Sequence, residues 1–196
     1  MKGHFIYNGL IISQHPLIKT YFEKLLQETK PRRILEIGTA YGGLTLLIRD
    51  ILDELKLFDT QIRTYDILES TDLKSKKRNI EVIHQNIFTY PYDELIDESV
   101  VRNFISQDGT TIVLCDGGSK KNEFKLLSKF LKKGDIIMAH DYAPNQEYFD
   151  NHIKGKIWNW LEIQDFDINE CCERYHLKPF MEEEFRSVVW VCKIKQ

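Results

Sequence analysis

The 196-residue chain is short of the residues that staple or break small folds: it has four cysteines and five prolines. Cys115, Cys171, Cys172 and Cys192 show no C-x-x-C spacing, so a zinc framework and a disulfide scaffold are excluded and the thiols read as reduced. No apolar run approaches the roughly 20 residues of a membrane span, and the first residues lack a signal-peptide pattern, which predicts a soluble, cytoplasmic protein. Repeats, low-complexity tracts and Pro/Gly/Ser-rich linkers are missing as well, so a single domain over 1–196 is expected. Neither sign of charge dominates: 27 basic and 30 acidic residues leave a net −3, which gives no case for a nucleic-acid partner. The basic cluster Lys74, Lys76, Lys77 and Arg78 reads as a solvated loop. A dinucleotide fingerprint, G-x-G-x-x-G, is lacking too.

What is present begins with enough apolar residues, 42%, for a full core. The stretch Arg32–Asp50, RRILEIGTAYGGLTLLIRD, carries the most information. An apolar run (Ile34, Leu35, Ile37) ends in Glu36 and Gly38, and Gly42-Gly43 opens a segment with Leu44, Leu47, Ile48, Ile51, Leu52 and Leu55 at helical spacing. A buried strand passing through a glycine turn into an amphipathic helix is how an open α/β sheet builds a cofactor crevice. Glycine allows close approach of a ligand to the backbone, and the helix start leaves N–H groups free. On this turn alone, any α/β nucleotide-binding fold is admissible.

In chain order, residues 1–16 read as an arm across the sheet or the site mouth. Pro16 can open a helix over 17–28, with Leu17, Ile18, Tyr21, Phe22, Leu25 and Leu26 on one face. The glycine-turn helix is expected over 42–56. Ile62–Ile67 reads as the second strand, with Asp66 at its carboxyl end, residues 70–79 as a loop or short helix, and Glu81–Ile83 as the third strand, ending near Gln85-Asn86-Ile87. A helix over 93–105 leads to Thr110–Cys115, a continuous apolar run typical of a central parallel strand, which ends in Asp116-Gly117-Gly118. A helix over 122–132, stopped by Gly134, precedes the strand Ile136–Ala139, which ends in His140-Asp141. Beyond Pro144 the pattern predicts a mostly helical 147–160, a short helix over 169–175, and strands over 177–183 and 187–194 joined by a tight connection. The fold expected is α/β, with helices on both faces of the sheet and an antiparallel C-terminal hairpin. Two adjacent strands each bring an acid to the edge that carries the glycine turn.

The spacing Glu36-x-Gly38-x-x-x-Gly42 resembles motif I of the class I S-adenosylmethionine-dependent methyltransferases. The wider run Glu36–Gly43, preceded by Lys30-Pro31, is similar to their cephalosporin-hydroxylase-like and sugar O-methyltransferase branch. The segments ending in Asp116-Gly117-Gly118 and in His140-Asp141 resemble the strand-plus-acid segments of metal-dependent catechol-type and cephalosporin-hydroxylase-like enzymes. The resemblance implies a Rossmann-like, doubly wound, mostly parallel seven-stranded sheet and its strand order. It implies S-adenosyl-L-methionine held by Glu36, Gly38, Thr39, Ala40, Tyr41, Gly42 and Gly43 of the turn. Asp66 would serve the ribose and Asn86 and Ile87 the adenine, with Ile67 and Asp116 also binding the cofactor. Read from the residues alone, Asp66 also suits an exposed strand end and Asn86 a turn. The implied acceptor is a small-molecule or sugar hydroxyl, with 1–30 as an N-terminal arm and helix and 144–176 as a substrate-side helical insertion; a homo-oligomer is left open.

A neutral hydroxyl is a weak nucleophile, which calls for a general base or for a divalent cation that lowers its pKa. The resemblance implies Asp116, His140 and Asp141 as ligands of Mg²⁺ or Mn²⁺. Relatives carry an acid where this chain has His140, and histidine suits Mn²⁺, Fe²⁺ or Zn²⁺ better than Mg²⁺. His140 is equally suited to act as general base. Relatives often place a histidine where Ser119 stands, or a lysine near the acceptor; Lys120 and Lys121 are the lysines at hand. Tyr41 and Tyr142 are candidate pocket walls beside the sulfonium. Two other readings compete with a methyltransferase: a non-catalytic S-adenosylmethionine-binding subunit and, disfavoured by the glycine spacing, a nicotinamide-dependent oxidoreductase.

Overall fold

The computed structural model describes residues 3–68 and 79–196. The basic cluster at 74–78, and all but the last residue of the expected 70–79 loop, lie outside the described residues.

Among the described residues, seven strands form one sheet: β3 (Arg33–Ile37), β4 (Gln61–Asp66), β5 (Ile80–His84), β6 (Thr111–Cys115), β7 (Ile136–Ala139), β8 (Leu177–Pro179) and β9 (Val191–Lys195). Their order is β5-β4-β3-β6-β7-β9-β8. The first five run parallel, β9 runs against β7, and β8 runs against β9. A separate hairpin, β1 (Phe5–Tyr7) and β2 (Leu10–Ile12), makes the N-terminal arm.

The apolar runs of β6 and β7, and the largely apolar β3, are explained by burial on both faces. Side chains alternate across the sheet: Leu35, Ile37, Val113, Cys115 and Ile137 pack into one cluster, and Ile34, Ile112, Leu114, Ile136 and Met138 into another. The first cluster is covered by α3 (Glu98–Ile105), α4 (Lys120–Ser128) and α6 (Asp165–Arg174). The second is covered by α1 (Ile18–Thr29), α2 (Gly43–Glu54) and α7 (Glu182–Arg186). A short α5 (Gln146–Tyr148) runs into a π-helical turn, Phe149–Ile153. Among the described residues, no helix is long and apolar enough to cross a membrane.

The hairpin is fastened to α2. Tyr7 donates from its hydroxyl to Asp50 Oδ2 at 3.0 Å. A Cβ on Gly43 would stand 2.4 Å from the Ile11 carbonyl oxygen, so only glycine lets the arm cross the helix start this closely.

Several expected boundaries are corrected. The helix expected over 93–105 begins at Glu98, where the Asp97 carboxylate accepts the Ser99 N–H as an N-cap. The helix expected over 122–132 occupies Lys120–Ser128, drawn forward by Glu123, whose carboxylate accepts the Gly117 and Ser119 N–H groups. Its end is therefore at Ser128, and Gly134 lies in a later turn, with its N–H on Lys195 O. Helix does not persist over 147–160, because the N–H groups of Lys156, Ile157 and Trp158 all fold back onto the Ile153 carbonyl. The last two strands pair antiparallel as expected, but they are short and joined through α7 rather than by a tight turn.

Candidate active site

Register brings the functional strand ends side by side: Ile37 stands beside Tyr65 and Cys115, and Cys115 beside Ala139. The residues that follow, Gly38, Asp66, Asp116 and His140, therefore share one edge. Strand order reverses about β3, so this edge is a topological switch point, where open α/β sheets form a crevice.

A crevice of about 680 Å³, partly open to solvent, lies there. Its floor is the glycine turn. Gly38 has φ +93°, and a Cβ on it would stand 2.2 Å from the Asp116 carbonyl oxygen. The Gly38 and Thr39 N–H groups both reach Tyr65 O, tying the turn to β4. Asp66 tightens it further: Oδ2 accepts the Ala40 N–H at 2.7 Å and Oδ1 the Leu68 N–H at 2.8 Å. Each carboxylate oxygen keeps a second lone pair for a ligand hydroxyl. Ile67, Ile87, Phe88 and Tyr92 supply apolar wall, and Gln85 and Asn86 supply amides. Asn86 is also a turn-former, since its Oδ1 accepts the Phe88 N–H at 3.0 Å.

At the inner end lies a polar cluster. Asp116 lines the crevice with 17% of its side chain exposed. Its Oδ1 is 3.1 Å from His140 Nδ1, and its Oδ2 accepts from Gln14 Nε2 at 2.7 Å. Asp141 is buried; its Oδ2 is 3.0 Å from Lys120 Nζ, and its Oδ1 accepts from Trp158 Nε1. Lys120 Nζ also donates to Gly117 O at 3.0 Å and to Glu162 Oε2 at 3.3 Å. Burial works against the ammonium, but Asp116, Asp141 and Glu162 outweigh it and raise its pKa above the usual lysine value. The His140 ring packs between Trp158 and Trp190, at centroid distances of 4.9 and 5.1 Å.

Two further acids are tuned by burial. Glu36 is pushed up to about 7 by burial, against the pull of the Thr45 and Thr64 hydroxyls. Glu123 is likewise raised to about 7 by burial while it holds the Asp116-Gly117-Gly118 turn through its two N–H bonds.

Of the residues singled out in the sequence, Gly38, Ala40, Asp66, Ile67, Asn86, Ile87 and Asp116 line the crevice. Glu36 does not: it turns inward and accepts from the Thr45 hydroxyl at 2.6 Å. Thr39 is buried against Thr64, Tyr41 points to solvent, and Gly42 and Gly43 form the start of α2. Tyr142 is no pocket wall; it is buried, with its hydroxyl donating to Asp165 at 2.7 Å. Asp116, Asp141 and Lys120 meet as an ion-pair network, with His140 Nδ1 3.1 Å from Asp116 Oδ1. As a metal centre the set does not fit: the Lys120 ammonium already occupies the space between the two aspartates, 3.0 Å from Asp141 Oδ2 and 3.9 Å from Asp116 Oδ1. Among the described residues, no three His, Cys, Asp or Glu side chains are placed to share a metal ion.

Sequence reading missed Gln14, Glu123, Trp158, Glu162 and Trp190. Glu123 alone carried a local signal, an acid one helical turn after the Ser119 that follows a glycine pair. The others reach the site through contacts with residues distant in sequence, which no pattern records.

The strand order, the antiparallel C-terminal pair and the crevice at the switch point define the class: the chain has the Rossmann-like fold of the class I S-adenosylmethionine-dependent O-methyltransferases. Among solved structures it is similar to CmcI with Mg and S-adenosylmethionine, at TM-score 0.70 and 17% identity over 98% of this chain and 77% of the other. The apo form of CmcI matches at TM-score 0.69 and 16% identity over 98% of this chain and 76% of that one. A protein from Staphylococcus aureus provisionally described as a caffeoyl-CoA O-methyltransferase matches at 0.54 and 15%, over 96% and 87% of the two chains. No protein-family model and no curated protein matches the sequence.

Proposed function

We propose that the chain is an S-adenosylmethionine-dependent methyltransferase that acts on a hydroxyl of a small molecule or sugar. The observation that carries this reading is the meeting, in one crevice, of a glycine turn without room for a Cβ, the Asp66 carboxylate and the Asp116 carboxylate. The crevice suits the cofactor chemically: carboxylate acceptors for ribose hydroxyls, apolar wall and amides for a purine, and a negative inner end for a sulfonium. Once bound, S-adenosylmethionine supplies an electrophilic methyl group, which passes to the acceptor oxygen as the C–S bond breaks and leaves S-adenosylhomocysteine.

Asp66 orients the ligand while bracing the turn. Asp116 is the member of the acid pair that lines the crevice, so it takes the hydrogen bond of the acceptor hydroxyl and accepts its proton as the O–C bond forms. Lys120, His140 and Gln14 hold that carboxylate in place. His140 is a positioning residue in this reading: it is buried between two indoles and does not line the crevice. The arm and the 144–176 segment form the acceptor side, since Gln14 and Trp158 come from them.

Thermal unfolding with S-adenosylhomocysteine, and separately with NAD(H), tests the reading. Ligand at about 100 times its dissociation constant adds roughly 2.7 kcal/mol, which raises the midpoint by about 5–11 °C. Asp116→Asn should keep that shift while methyl transfer to a panel of hydroxylated acceptors falls by about 10²–10⁴. A shift with NAD(H) and none with S-adenosylhomocysteine would overturn the assignment.

A further inference from the structure

A structure that shares the fold holds Mg with S-adenosylmethionine; in this chain the acids at the strand ends have partners from within the chain. Lys120 supplies the difference. It stands in the first turn of α4 and is 6% exposed. Its ammonium has oxygens of Asp141 and Gly117 at 3.0 Å and of Glu162 at 3.3 Å, with Asp116 Oδ1 at 3.9 Å. An ammonium has three protons to donate, and three oxygens lie within hydrogen-bond distance of this one. They come from the end of β6, from the residue pair after β7 and from the 144–176 segment, so one positive charge ties three parts of the site together.

The remaining donors complete the enclosure. Gln14 cannot turn its amide round, because Trp190 Nε1 donates to its Oε1 at 2.8 Å and indole N–H is a donor only. Its Nε2 is thereby committed to Asp116. Trp158 Nε1 holds the second oxygen of Asp141. Mg²⁺ demands near-octahedral oxygens at about 2.0–2.1 Å. To bind between Asp116 and Asp141 it would have to expel the buried Lys120 ammonium.

We propose that the Lys120 ammonium is the resident cation of the strand-end acids, and that cofactor binding and methyl transfer proceed without a divalent metal at this position. The inference rests on the methyltransferase reading for its transfer step, but not for its metal-free cluster. Lys120 neutralises part of the acid charge and places positive charge beside the oxygen that sheds its proton.

The test is direct uptake of Mn²⁺, followed by the electron-spin-resonance signal of the free ion, on the full chain with and without S-adenosylhomocysteine. The expected result is an undiminished free-ion signal in both cases, with S-adenosylhomocysteine affinity unchanged within about twofold by EDTA. Uptake of one Mn²⁺ per chain overturns the inference, as does loss of affinity in EDTA. Failure of S-adenosylhomocysteine to bind under any condition would instead remove the methyltransferase reading, while the Mn²⁺ measurement would still decide the cluster. Lys120→Met gives a second measurement: stranding buried acids should lower the unfolding midpoint by about 6 °C or more, with millimolar Mg²⁺ restoring part of the loss in the variant and none in the parent. A variant as stable as the parent overturns the inference; a variant that does not fold leaves the Mn²⁺ result on the parent decisive.

Discussion

Gln14 Nε2 lies 2.7 Å from Asp116 Oδ2, although 102 residues separate the two in the chain. The same amide accepts from Trp190 Nε1, so one glutamine fixes the proposed proton acceptor to the core of the C-terminal edge. Gln14→Leu leaves the indole N–H buried without its acceptor, which costs about 1–3 kcal/mol and lowers the unfolding midpoint by roughly 2–12 °C. It also frees Asp116 to turn, so kcat should fall by about 10–100-fold while S-adenosylhomocysteine affinity changes little. Calorimetry and steady-state kinetics on the same preparation separate the two effects.

Glu36 predicts a pH dependence of opposite sign to the usual carboxylate. Its folded pKa, about 7, lies above the ordinary 4.5. Between those values the folded chain keeps a proton that the unfolded chain gives up, so stability falls as pH rises from about 4.5 to about 7 and is level beyond. Glu36→Gln removes this proton while leaving an acceptor for Thr45. The difference in midpoint between the parent and Glu36→Gln should change across that window and be flat above it; a constant difference from pH 4.5 to 8 would contradict the assignment.

Much of this architecture is legible in the amino-acid sequence, for a physical reason. Strands buried on both faces are largely apolar, so β3, β6 and β7 announce themselves, and the residues that follow them, Gly38, Asp116 and His140, mark the crevice edge. The seven-stranded order comes from family resemblance, not from the residues. Helix limits are less legible, because apolar spacing records which face is buried and not where the chain turns away: Asp97, Glu123 and the Ile153 carbonyl decide those limits through hydrogen bonds. Gln14 and Trp158 are illegible because a lone polar or aromatic residue carries no period. In the sequence Lys120 is one of two lysines at hand for the acceptor, and its four oxygen contacts come from three parts of the chain that only folding brings together.

Gly38→Ala should abolish cofactor binding. The added methyl would stand 2.2 Å from the Asp116 backbone oxygen, at a φ of +93° that alanine disfavours. Neither the β3 nor the β6 end can withdraw without breaking the sheet, so the turn itself must open. Isothermal titration with S-adenosylhomocysteine should show no measurable heat of binding, and circular dichroism should show that the sheet persists.

Asp66→Ala removes a residue that braces the turn and, in the proposed reading, also holds the ribose. The Ala40 and Leu68 N–H groups lose their acceptor, and the ligand's ribose loses its carboxylate. Hydrogen bonds to charged groups contribute about 1.5–3 kcal/mol each, so S-adenosylhomocysteine should bind at least roughly tenfold more weakly. Unchanged affinity by titration calorimetry would show that the cofactor's ribose lies elsewhere.

The contacts of Gln14 with Asp116, His140 and Trp190 span 102, 126 and 176 residues. During synthesis the amino-terminal end emerges first, so the arm must wait, its glutamine unmatched, until the indole 176 residues downstream has left the ribosome. The crevice walls, from Ile37 to Glu123, are all translated well before that. The proposed methyl-donor crevice thus draws on one stretch of chain, whereas the proposed acceptor side closes only when residues 176 positions apart have met.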